Sequence, residues 1–172
     1  MTLGVFINFP PNIQFVQSFT STVPSQQLQQ KLIQTLYEIN RKEFSFEEAG
    51  HPTIPECQII FEFGLADNDF FNFIDGEEVK KAMDLFAHQP LENMDFFCVI
   101  RYYKGVGEKR RALKFDYYIL RTVYNQSIFE IQVYHKKGLR YVPPEDLTLF
   151  IFNKLNEAYK RKVLKKQVSN MT

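Results

Sequence analysis

The sequence predicts an α+β protein: an antiparallel sheet of about five to seven strands packed against a long C-terminal helix and a shorter N-terminal helix. Three observations carry this. Apolar and polar residues alternate over long runs between Glu56 and Lys137, the period of half-buried strands. The gaps between the last three runs, 105–111 and 125–127, suit hairpins and are too short for parallel crossovers. Two Pro-led segments, from Pro24 and from Pro143, switch to the helical period.

Leu3, Val5, Ile7 and Phe9 alternate with Gly4, Phe6 and Asn8, which reads as a short strand stopped by Pro10 and Pro11. Ile13 to Phe19 resumes the alternation. Val23-Pro24-Ser25 then opens a helix over about 24–42, with Leu28, Leu32, Ile33, Leu36, Tyr37 and Ile39 on one stripe and Gln26, Gln29, Gln30, Lys31 and Gln34 opposite. Gly50, Pro52 and Pro55 make 43–55 a loop. From Glu56, Cys57, Ile59, Phe61, Phe63 and Leu65 share one face of a strand. Phe70 to Ile74 reads as a short strand paired back through a turn, Asp75-Gly76 as a turn, and Glu77 to Phe86 as a short helix carrying Val79, Met83 and Phe86. Met94–Lys104, Ala112–Tyr124 and Ile128–Lys137 are three strands in series. From Pro143 a helix of about 23 residues buries Leu147, Phe150, Ile151, Leu155, Ala158 and Tyr159 and runs into Lys160, Arg161, Lys162, Lys165 and Lys166, cations that suit a helix C-terminus.

The 172 residues suit one domain, 1–172, with the last few residues a frayed tail. Hydrophobic residues make up 45% and aromatics 16%, enough for a packed core and too much for a disordered chain. A net charge of +1 excludes a chain that is basic throughout. Cys57 and Cys98 have neither metal-ligand nor disulfide-framework spacing and read as buried reduced thiols. The first residues lack a basic segment and a cleavage site, and no apolar run approaches the ~18 residues of a membrane span. The expectation is a cytoplasmic protein with no membrane span.

The run FVQSFTSTVPSQQLQQKLIQTL, residues 15–36, is a strand ending at a Pro-led helix, and a second Pro-led helix closes the chain after three consecutive strands. In this order of elements the chain resembles START and Bet v 1-like proteins, the helix-grip arrangement. The resemblance implies a curved sheet wrapped round the last helix with a pocket between them. It covers most of the chain in order only and carries over no functional residue.

The leading functional expectation is therefore a non-enzymatic protein that binds a hydrophobic or amphipathic small molecule between the sheet and the C-terminal helix. Eighteen Phe and nine Tyr are available to line such a cavity, or simply to fill the core. Phe115, Tyr117 and Arg121 share one strand face, and Phe150 and Ile151 lie on the helix stripe; these five are the candidate ligand contacts. The alternative is a nucleic-acid or protein interaction module using the basic hairpin 104–114 and the basic end of the C-terminal helix, with Lys109, Arg110 and Arg111 as anion or partner contacts. The balance of acids and bases does not favour nucleic acid, and a homo-oligomer stays open.

No catalytic residue, cofactor or metal is assigned. Asp67, Asp69, Asp75 and Glu78 fall at offsets of a calcium loop, but Phe71 and Asn72 stand where such a loop needs an oxygen ligand and a glycine. Gly105-Val106-Gly107 lacks the strand–turn–helix setting of a phosphate loop. His51, His88 and His135 are scattered, and Glu62, Asp116 and Glu130 are expected to pair across the sheet with Arg101 or Arg121.

Overall fold

The computed structural model describes residues 3–51, 56–105 and 107–167. In chain order the elements are β1 (Phe15–Ser21), α1 (Ser25–Ile39), β2 (Glu43–Ser45), β3 (Cys57–Asp67), β4 (Phe70–Phe73), α2 (Gly76–His88), β5 (Asn93–Lys104), β6 (Arg111–Asn125), β7 (Ile128–Lys137), α3 (Pro144–Tyr159) and β8 (Leu164–Lys166). The strands make one eight-stranded antiparallel sheet, ordered β2-β3-β5-β6-β7-β1-β8, with β4 paired to β3. The α+β class holds, with the last helix C-terminal.

The apolar stripes decide what each helix buries. Leu28, Leu32, Ile33, Leu36 and Ile39 of α1, Ala82 and Phe86 of α2, and Leu147, Phe150, Ile151 and Leu155 of α3 join one core with the inward side chains of the sheet. Those inward side chains are Ile59, Phe61 and Phe63 of β3, Phe96, Cys98 and Ile100 of β5, Tyr118 and Leu120 of β6, and Phe129, Ile131 and Val133 of β7. The three helices share that face and leave the other open to solvent over much of its area. Among the described residues no helix is long and apolar enough to cross a membrane. The frayed-tail expectation falls outside the described residues.

Four details depart from the sequence reading. Residues 3–9 are not a strand. Gly4 sits at φ 93°, a conformation that breaks the extended run. The segment instead forms a strap across the end of the sheet, where the Gly4 carbonyl accepts from Asp95 N at 2.7 Å and Gly4 N donates to the Ala66 carbonyl at 2.6 Å. It takes the place beside β5 that β3 leaves when it turns to pair with β4.

Residues 43–48 are not loop. Phe44 pairs with Ile59 in β2, a 3₁₀ turn follows, and Phe44 and Phe46 are both buried. Asp75 is not a simple turn residue: it caps α2, its carboxylate accepting from Glu78 N at 2.9 Å. Lastly, α3 has 16 residues and stops at Lys160, which adopts the left-handed conformation (φ 58°). The chain then returns as β8 along β1 and buries Val163 and Leu164. The basic run is thus not one helical surface; Lys165 and Lys166 lie on an edge strand, where charge blocks further strand pairing.

Candidate functional site

From Asp116 onward strand β6 turns its even-numbered side chains inward. Asp116, Tyr118, Leu120, Thr122 and Tyr124 are buried, whereas Phe115 is 37% exposed and Tyr117 and Arg121 are half-buried on the outer face. The five residues expected to line one cavity are therefore split by the sheet itself. Phe150 and Ile151 lie in the core, on the helix side, while Phe115, Tyr117 and Arg121 lie behind the strands. The sequence misleads here because Asp116 and Thr122 give the buried face a polar look. Both are satisfied internally: Thr122 Oγ1 donates to the Met94 carbonyl at 3.1 Å, and Asp116 accepts several hydrogen bonds.

The region between the sheet and α3 is occupied by aromatic rings. Phe150 stacks on Phe61 at 4.7 Å and meets Phe44 edge-on at 5.4 Å, and Phe152 stacks on Phe19 at 4.9 Å. The concave surface lies beside this layer, not within it. A groove of about 590 Å³ runs between α1 and α3 and reaches β2. Ile39 of α1, Phe44 of β2, Val79 of α2 and Ala158 of α3 give it apolar walls, and Lys31, Lys42 and Lys154 stand around it with Glu38 and Glu157. Two lysines are positioned by rings. Lys154 Nζ is 5.1 Å from the centre of Phe44 and 5.4 Å from that of Phe150, and Lys31 Nζ is 5.1 Å from that of Tyr159. Phe150, one of the residues singled out from sequence, therefore supports this groove from beneath. Ile39, Phe44 and Lys154 were not expected at a site, and Phe44 falls in a segment with no periodic signal.

A second concentration of polar groups centres on Asp116, which has no exposed surface. Its Oδ2 accepts from Tyr102 Oη at 2.6 Å and from Tyr141 N at 2.9 Å. Its Oδ1 accepts from Arg140 N at 2.7 Å and lies 2.9 Å from His135 Nε2. Tyr118 Oη donates to the Val142 carbonyl, and Val142 N donates to Tyr102 Oη at 3.2 Å. Every partner belongs to the sheet or to the segment joining β7 to α3, so the cluster clasps that connection. Burial, then the hydrogen bond to Asp116, pushes the Tyr102 phenol far above its ordinary range; burial, then the Asp116 charge, does the same to Tyr118. The His–Asp contact here is structural in its geometry, with all four carboxylate positions taken. Sequence alone had no signal for it, because the members lie on β5, β6, β7 and the following turn.

The remaining candidates have local duties. Arg101 pairs with Glu62 at 2.8 Å, as expected, but Arg121 pairs with Asp95 through two contacts of 2.7 and 2.9 Å, while Asp116 meets His135 and Glu130 accepts from Gln132. Lys109, Arg110 and Arg111 are exposed at the β5–β6 hairpin, Arg110 reaching Glu43 at 3.1 Å. Asp69 lies in the β3–β4 turn and Glu78 is buried beside Lys81. Among the described residues no cluster of three or more His, Cys, Asp or Glu could hold a metal ion. Cys57 and Cys98 are reduced and buried, and burial raises both thiol pKa values, Cys98 the more strongly. No protein-family model, curated protein or solved structure matches this chain.

Proposed function

We propose that the protein binds an amphipathic small molecule with an apolar body and an anionic head in the groove between α1 and α3. One observation carries this reading: a concave surface of about 590 Å³ with apolar walls is lined by three lysines, Lys31, Lys42 and Lys154, against two carboxylates, Glu38 and Glu157, the latter paired with Lys154 at 3.3 Å, which leaves cations in excess. Ligand sites are mostly apolar with a few placed polar groups, and this volume falls in the usual range of about 300–1,000 Å³. The order of elements resembling helix-grip proteins supports the same class of ligand. The site proposed here is lined by the C-terminal helix and a sheet residue, Phe44, but opens beside the core.

The reading is tested by thermal unfolding with dodecanoate, with dodecyltrimethylammonium as the control of opposite charge. Saturating dodecanoate should raise Tm by about 5–10 °C, since a ligand at ~100 Kd contributes about 2.7 kcal/mol. The cationic amphiphile should raise it less. Ala158→Trp places a large ring at an exposed helix position in the groove and should abolish the shift without unfolding the protein. Equal shifts with both amphiphiles, or an undiminished shift in A158W, would refute the site.

A further inference from the structure

The outer face of the sheet carries a second surface at the end where β5 leaves and β6 begins. Here Arg101 is paired across the strands with Phe115, and Tyr117 with Lys137. Four cations stand over three rings of this face: the Arg110 guanidinium 4.4 Å from the centre of Tyr103, Arg101 and Lys137 at 5.8 and 5.9 Å from that of Phe115, and Lys136 Nζ at 5.5 Å from that of Tyr117. Among the described residues, the ion pairs at this end are Arg101–Glu62 and Arg110–Glu43. Lys104, Lys109, Arg111, Lys114, Lys136 and Lys137 are exposed and make none. Eight of the 21 lysines and arginines of a chain whose net charge is only +1 thus stand, interleaved with aromatic rings, at one end of this sheet face.

We propose that this surface binds single-stranded nucleic acid, its lysines and arginines meeting phosphates and Phe115, Tyr117 and Tyr103 stacking on bases. Positive charge alone would suit any polyanion; the rings narrow the choice, because each base offers a π-face that a carboxylate-rich protein lacks. Spacing narrows it again. Rings two residues apart on one strand, such as Phe115 and Tyr117, stand about 7 Å apart. That is twice the ~3.4 Å rise of stacked bases, so the bases must be unstacked, which costs a single strand less than a duplex. The basic residues after α3 are not part of this surface, because β7 and β1 lie between β6 and β8 in the sheet.

The test is fluorescence anisotropy with a labelled single-stranded oligouridylate of about 12 nucleotides, a length within the usual site size. A duplex of equal length, polyphosphate and poly-glutamate serve as competitors. Binding should weaken steeply as salt rises, and replacing Lys109, Arg111 and Lys114 by Ala should flatten the slope of log K against log salt by about 2, from ~0.7 per lost phosphate contact. Phe115→Leu keeps an apolar side chain at an exposed position, so the fold should stand, checked by circular dichroism. It should weaken the single strand about 5- to 100-fold, the range for one lost stacking contact, and leave the salt slope unchanged. An unaltered affinity in F115L, or polyphosphate or duplex competing as well as the single strand, would reduce the surface to a screened patch of charge and overturn the proposal. Stronger competition by poly-glutamate would overturn it in favour of an acidic protein partner.

Discussion

Asp116 is a carboxylate without exposed surface, and its cost is met by donors from two strands and a loop. Removing one donor leaves a buried charge short of a partner. Tyr102→Phe should therefore lower stability by about 1.5–3 kcal/mol in urea titration, and a change under ~0.5 kcal/mol would show that the clasp contributes little. Gly138 completes the same clasp. Its φ is 117°, and a Cβ there would stand 2.2 Å from Asp116 Oδ1. Gly138→Ala should destabilise by more than the ~1 kcal/mol of an ordinary glycine replacement, because both backbone and carboxylate must move. The buried phenols also set an alkaline limit. Burial raises the pKa of Tyr102, Tyr118 and Tyr124 in the folded state. Below the unfolded value of about 10 both states are protonated and this contribution is fully present. Above it the unfolded chain ionises while the folded chain stays neutral, so stability falls as pH rises. Urea midpoints should begin to fall above about pH 8.5, where the unfolded thiols of Cys57 and Cys98 ionise, and drop further above about pH 10, this second fall being less steep in Tyr102→Phe.

Among the elements, α3 and its return strand divide what the sequence discloses from what it hides. Leu147, Phe150, Ile151 and Leu155 recur at helical spacing, and all four are buried. Ile151→Ala should cost about 2–5 kcal/mol by urea titration, and a cost below ~0.5 kcal/mol would contradict the packing. The end of the helix has no such signal. No Gly or Pro marks it, and five cations favour its continuation. The stop is tertiary: Asn156 Oδ1 accepts from Val163 N and Leu164 N at 3.0 Å each, and Asn156 Nδ2 donates to the Leu164 carbonyl at 3.1 Å. Asn156→Ala should release β8, seen as faster amide exchange at Val163 and Leu164 with the rest of the sheet unchanged. Likewise β2 escaped notice because three residues carry no period, and Gln29, read as solvent-facing, is buried because it bonds Leu91 N and the Leu91 carbonyl. Long periodic runs announce themselves; short elements and buried polar side chains answer to neighbours remote in sequence. The groove between α1 and α3 was hidden for that reason, its walls coming from α1, β2, α2 and α3.

At the level of the whole molecule, the core is shared by all three helices and the inner face of the sheet, so its thiols report on global opening. Cys98 has no exposed surface and its pKa is raised by burial, then by Asp116 and Glu62. Alkylation read by mass spectrometry should leave Cys98 unmodified in buffer and modify it as urea unfolds the chain; rapid native-state modification would contradict the packing. The position of β1 reaches further still. It lies between β7 and β8, with Phe15 opposite Val133 and Phe19 opposite Lys166. Synthesis delivers β1 before β2 to β6, and both of its neighbours only after them. Until β7 and β8 follow, that strand lacks both of its native partners, and the sheet closes only once they have emerged. Such distant pairing places folding in the slow range of about milliseconds to seconds, and the nascent chain is the form most in need of a chaperone's cover.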